Sequence, residues 1–232
     1  MSGLLQIFYE PGKVFERVRE KCVWLTPFIA TVLVITLSAA LAVSLIGMET
    51  IMRKQMESNP KMAEQLGQQK VDQMIRDANT PTRKALVFVT SAVGAAIYLL
   101  VISGVFTGLL SLMSAKVNYK QVLGATAYAV FPLAVIGCVM SALIIFLSND
   151  RSELDMRNLI ALNPGAFLNK ESTSKPLYSI ASSLDLLSFG QIAMVSYGLS
   201  KVSGVTFAKC LLMVVLLWGI YVLGKAGVAA AF

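Results

Sequence analysis

The 232-residue chain contains no histidine. That absence removes the commonest general base and the commonest metal ligand together. Charge is scarce as well: charged residues make up 14% of the chain, where soluble domains carry about 25%. Hydrophobic residues reach 56%, above the 45–50% or so of a soluble globule, which puts the chain among integral membrane proteins. Cysteine occurs only as Cys22, Cys138 and Cys210, each in or beside an apolar block and none in a C-x-x-C pair. Neither a zinc site nor a disulfide framework is supported, and the three read as small buried hydrophobes. There is no G-x-x-x-x-G-K-[ST] loop, no H-E-x-x-H and no G-x-S-x-G. An enzyme is therefore not expected, nor a metal or cofactor. The start shows no short apolar region with a cleavage site, so a cleavable signal peptide is not expected either. The net charge of +7 is not gathered into a dense basic stripe. It reads as membrane-surface basicity and not as nucleic-acid binding.

What is present is a series of five apolar blocks: Trp24–Met48, Ala85–Met113, Gln121–Leu147, about Leu177–Leu199, and about Thr206–Leu223, extending toward the terminal AGVAAAF. A helix needs about 20 residues to cross the hydrocarbon layer, and backbone in lipid must satisfy its own hydrogen bonds. Period-two alternation is absent, so the expected fold is all-α: an integral membrane bundle of five transmembrane helices. The fourth block is the most polar, with Ser179, Ser182, Ser183, Asp185, Ser188 and Gln191. The connections near 114–120 and 200–205 are short, which makes spans two and three, and spans four and five, antiparallel neighbours.

Ahead of the first span, Leu4, Ile7, Phe8, Val14, Phe15, Val18 and Cys22 fall within about 120° of a helical wheel. Glu10, Lys13, Glu16, Arg17, Glu20 and Lys21 fall opposite. Residues 1–23 are thus expected to form an interfacial amphipathic helix, broken near Glu10–Gly12 with Pro11 in a first turn. Its apolar face meets either the bilayer or the protein's own spans. Trp24 stands where an aromatic anchor belongs. A polar insert, 49–84, carries a second helical pattern, with Asn59 as cap, Pro60 at the first position and a stop near Asn79–Pro81. Its weak stripe of Ala63, Leu66, Gly67, Val71, Met74 and Ala78 suits packing on the bundle or on a partner. In the loop 148–176, MRNLIAL suggests a short helix and NPG a turn.

Asp185 is the single acidic residue inside an apolar block. A carboxylate at the centre of a span costs at least ~2.5–3.5 kcal/mol and so faces the bundle interior or a cavity. It is either a proton, cation or partner site or an interhelical hydrogen-bond acceptor, with Tyr128 as the candidate donor and Ser182, Ser183 or Ser188 adding local bonds. Gly104 and Gly108, followed by Ser111, form a small-residue strip, expected to seat another helix of the same chain. Gly124, Tyr128 and Pro132 share a face, and Pro27 and Pro132 are expected to kink their helices.

With the N-terminus inside, eight basic residues lie inside and twelve outside. That count opposes the arrangement.

Three stretches resemble the Yip family, multispanning membrane proteins first named for interaction with Ypt/Rab-type GTPases. They are FYEPGKVFERV running into WLTPF, VNYKQVLGATAYAVFPLAVIG (Val117–Gly137) and LDLLSFGQIAMVSYGLSKVSGVTFAKC (Leu184–Cys210). The resemblance implies a cytoplasmic N-terminus and a C-terminus on the far side. Eukaryotic members carry a long polar region before the first span; its absence here points to a bacterial member in the cytoplasmic membrane, which has no Rab traffic to serve. The expected role is a non-catalytic scaffold or accessory subunit. Its expected partners are the lipid bilayer, other membrane proteins such as an ABC-type exporter, and a second copy of the chain. The alternative is a small transporter or ion-conducting protein using Asp185.

Overall fold

The computed structural model describes residues 3–57, 64–151, 154, 159–169 and 172–231. Among them the regular structure is helical, with no strand. Two helices, α1 (Gly3–Gln6) and α2 (Pro11–Lys21), precede the long α3 (Leu25–Ile46). α4 (Met48–Glu57) and α5 (Gln68–Asp77) occupy the polar insert. Then come α6 (Pro81–Leu112), α7 (Tyr119–Leu147), α8 (Lys175–Ala181), α9 (Leu186–Ser203) and α10 (Phe207–Ala231).

Four of these, α3, α6, α7 and α10, are long and apolar enough to cross a membrane. Their boundaries follow from local chemistry. Thr80 caps α6 by accepting from the Arg83 N–H, with Pro81 at the first position, where its missing donor costs nothing. Asn118 and Gln121 form a reciprocal capping box at the start of α7.

α7 is the centre of the bundle. Its residues Val122 to Val130 are buried without interruption, because α2, α3, α6 and α9 all pack around it. A helix buried on every side must be apolar on every side, as this one is. The neighbour pairs expected from short links, α6 with α7 and α9 with α10, are both in contact. The buried Thr31 on α3 donates to the Ala127 carbonyl of α7 at 3.1 Å, a polar tie inside the core.

Four expectations are corrected. The fourth apolar block is not one helix over 177–199. It is α8 and α9, broken at Ser182–Asp185, because short polar side chains there take up backbone groups that a continuous helix would use. Ser183 Oγ donates to the Ser179 carbonyl at 2.7 Å, and Asp185 accepts the Ser188 N–H at 3.2 Å. The insert is not one helix up to residue 78: Gly67, at φ +77°, stops the chain and α5 begins after it. Asn59, Pro60 and Ala63 lie outside the described residues. α5 packs on α4, and Ala78 is fully buried. The described part of MRNLIAL, Leu159–Leu162, is not helical, whereas NPG does open a 3-10 turn, Pro164–Phe167. Pro27 falls in the first turn of α3, where the backbone N–H has no helical partner to lose, so it has no reason to kink the helix. Pro132 is interior to α7.

Candidate functional site

Two places on the bundle bring together residues from several elements. The first is formed by the N-terminal segment. Pro11 opens α2 and the chain breaks just before it, between Gln6 and Pro11. Val14, Phe15 and Val18 are buried, while Glu16, Arg19, Glu20 and Lys21 are exposed. The apolar face is therefore spent on the protein, against α7 and α9. Phe15 is fully buried and meets Tyr197 edge to face, with centroids 5.8 Å apart. A Cβ at Gly198 would stand 2.8 Å from the Phe15 ring, so only glycine lets the ring in. Gly124 plays the same part on α7, where a Cβ would stand 2.7 Å from the Val23 carbonyl oxygen.

Polar contacts close the rim of this dock. Lys201 Nζ donates to Glu16 Oε1 at 2.9 Å and lies 5.8 Å from the Tyr197 ring centroid. Gln121 Nε2 donates to the Arg19 carbonyl, and Arg17 to Gln6 Oε1 at 2.8 Å. The hydrogen bond from Lys201 holds the Glu16 carboxyl below its ordinary range. Trp24 stands just before the first residue of α3 and packs edge to face on Phe28, 6.1 Å away.

The second place is a chamber of about 500 Å³ at the break between α8 and α9. Ser38 and Ala42 of α3, Ser141 and Ile145 of α7, Asn163, Ser182, Ser183, Asp185 and Ser188 line it, with Trp218, Tyr221 and Lys225 of α10. Asp185 is the N-cap of α9: its Oδ2 accepts from both the backbone N–H and the hydroxyl of Ser188 at 3.2 Å. Its Oδ1 is buried and has no hydrogen-bond partner among the described residues. Lys225 Nζ donates to Ser183 Oγ at 3.2 Å.

A family model described as the Yip1 domain matches residues 5–229. The chain belongs to the Yip1 family. The Yip1 domain runs from within α1 to near the end of α10, and so takes in both the dock and the chamber. Yip1 proteins are non-enzymatic membrane proteins. No curated protein and no solved structure matches the chain. Among the described residues no three His, Cys, Asp or Glu side chains converge in a way that could hold a metal ion.

The residues singled out from the sequence do not form one site. Tyr128 does not donate to Asp185. It is buried at the dock, where its hydroxyl lies 2.5 Å from where a Gly3 Cβ would stand. Ser141 of the chamber lies 13 residues further along the same helix, about 20 Å away. Of the local donors proposed for Asp185, Ser188 is the one that bonds it. Gly104 and Gly108 face outward. Among the described residues nothing lies within 4 Å of a Cβ at Gly108, and at Gly104 only the Tyr119 ring, at 4.0 Å, so the strip seats no described helix of this chain. The helix turns them away because Ser103, Phe106 and Leu110 take the inward face.

Lys225, Ser38, Ser141 and Asn163 were not anticipated. Lys225 had a signal, since apolar residues continue past it and hold it within a helix. The serines had none, because hydroxyls recur throughout the apolar blocks.

Proposed function

We propose that the protein is a non-catalytic membrane scaffold or accessory subunit. What supports this reading is a Yip1 domain extending over residues 5–229 on a bundle with apolar outer faces. On this reading α8 and α9 together make a fifth, discontinuous crossing, which sets the termini on opposite sides. The N-terminus and the dock face the cytoplasm of a bacterial cell and the chamber lies toward the far side. Leu5, Phe8 and Tyr9, exposed beside α2, rest on the bilayer surface. The outward Gly104–Gly108 strip meets a partner membrane protein, an ABC-type exporter or a second copy of the chain.

Purification in mild detergent, with a photo-crosslinker at Gly108, is expected to recover one stoichiometric partner or a defined homo-oligomer crosslinked at that position. A lone monomer, with no export or trafficking defect on deletion, would overturn the reading. Gln68→Cys in the insert is expected to be labelled from outside the cell.

The broken helix favours a second reading, a small transporter or ion-conducting protein, since discontinuous helices line substrate sites in transporters. It requires flux in proteoliposomes that Asp185→Asn abolishes.

A further inference from the structure

We propose that the Asp185–Lys225 chamber binds the headgroup of a phospholipid that carries a primary amine and a phosphate, of the phosphoethanolamine type. The inference rests on the membrane embedding of the Yip1 domain and not on the scaffold reading.

The first support is charge. The chamber holds one carboxylate and one ammonium, from the start of α9 and from α10. No salt bridge among the described residues joins them. Lys225 is held by Ser183 instead. Two opposite charges that line one chamber without an ion pair are complemented by a zwitterion, its cation toward Asp185 and its anion toward Lys225. The hydroxyl of Ser141 is a further donor for a phosphate, whereas that of Ser38 is already given to the Val34 carbonyl at 3.0 Å.

The second is hydrogen bonding. Both bonds from Ser188 go to Oδ2, leaving Oδ1 buried and unmatched. A buried carboxylate oxygen calls for a donor. A primary ammonium brings three N–H groups, whereas the quaternary nitrogen of choline brings none.

The third is position. Ser141 and Lys225 each lie six residues before the ends of α7 and α10, and Ser38 eight before the end of α3. At 1.5 Å per residue that is about 9–12 Å inside the helix ends, which sets Ser141 and Lys225 toward the border of the headgroup and hydrocarbon layers and Ser38 deeper in the hydrocarbon. Trp218 and Tyr221, aromatics typical of that border, are in the wall. The volume of about 500 Å³ is ample for a headgroup. A lipid reaches such a site from within the bilayer.

The test uses the full chain in mild detergent and native mass spectrometry with equimolar phosphatidylethanolamine and phosphatidylcholine. The ethanolamine lipid is expected to be retained about tenfold over the choline lipid, the size of one charge-assisted hydrogen bond. Asp185→Asn keeps a good helix cap but loses the charge, and it is expected to erase that preference. Lys225→Met is expected to weaken both lipids alike, since both carry the phosphate. Should Asp185→Asn fail to fold, the mono- and dimethylated ethanolamine lipids probe the same contact on the unaltered protein, and retention is expected to fall with each methyl. Equal retention of the ethanolamine and choline lipids, or an unchanged preference in folded Asp185→Asn, would overturn the proposal. Displacement of the lipid by an equal concentration of water-soluble glycerophosphoethanolamine would overturn the lipid source in favour of a soluble ligand. Loss of a partner in purification would leave these results untouched, so the two readings fail separately.

Discussion

At one end of the bundle Phe15 is fully buried against Tyr197 and Gly198; at the other, Asp185 Oδ1 is buried without a partner among the described residues. The same helices, α7, α9 and α10, build both ends. At the dock they meet side chain to side chain, with glycines where the backbone or a ring must come close. At the chamber they diverge around serines and two charges. Close packing is where a chain gains stability, and an unmatched buried oxygen costs about 1–3 kcal/mol. The contrast teaches that the dock is closed by packing, with an unmatched hydroxyl at Thr126 of α7 among the described residues, while the chamber leaves a carboxylate oxygen unmatched, the costlier group to bury.

The contrast can be broken by substitution, and the largest effect belongs to the dock. Phe15→Ala is expected to lower unfolding free energy by about 3–5 kcal/mol, measured by denaturant titration in detergent. Ser141→Ala in the chamber wall is expected to change it by less than about 0.5 kcal/mol. If the two losses are equal, the division of roles is wrong. Gly124→Ala comes next, at about 1–3 kcal/mol, because its Cβ would press on backbone at Val23 that cannot rotate away. Asp185→Ala is expected to cost about 1 kcal/mol through loss of the α9 cap, and Asp185→Asn much less, since asparagine caps nearly as well. Thermal melts of the two variants check this directly.

The smallest effect is the pH dependence of the rim. Glu16 is held below its ordinary value of 4.5, so its contribution is present above that value and is lost as pH falls through the lowered folded one. Hydrogen exchange of α2 is therefore expected to quicken at the acid end, beyond the intrinsic change in exchange rate, in the native protein but not in Glu16→Gln. The pair is exposed, so the change is expected to be slight.

Much of the fold was legible along the chain. Four long apolar helices, the pairing of α6 with α7 and of α9 with α10, and the polar insert follow from block length, hydropathy and short links. The break within the fourth block was written there too, in the run Ser182, Ser183, Leu184, Asp185, but hydropathy averaged it away. Read as a cap signal, Asp185 immediately before the apolar Leu186 and Leu187 starts a helix. The site was less legible. Tyr128 and Asp185 share an apolar environment in the sequence, yet the rise along α7 sets their regions about 20 Å apart.

Composition and block length by themselves determined that this is a helical membrane protein without histidine chemistry, because backbone in lipid must satisfy its own hydrogen bonds and an apolar run long enough to cross admits few charges, whichever helix lies beside it. The tertiary structure alone decided that the apolar face of α2 is spent on the protein, that Gly104 and Gly108 look outward, and that Lys225 shares a chamber with Asp185. Those outcomes depend on which helix faces which, and a helical pattern records a face without recording its neighbour.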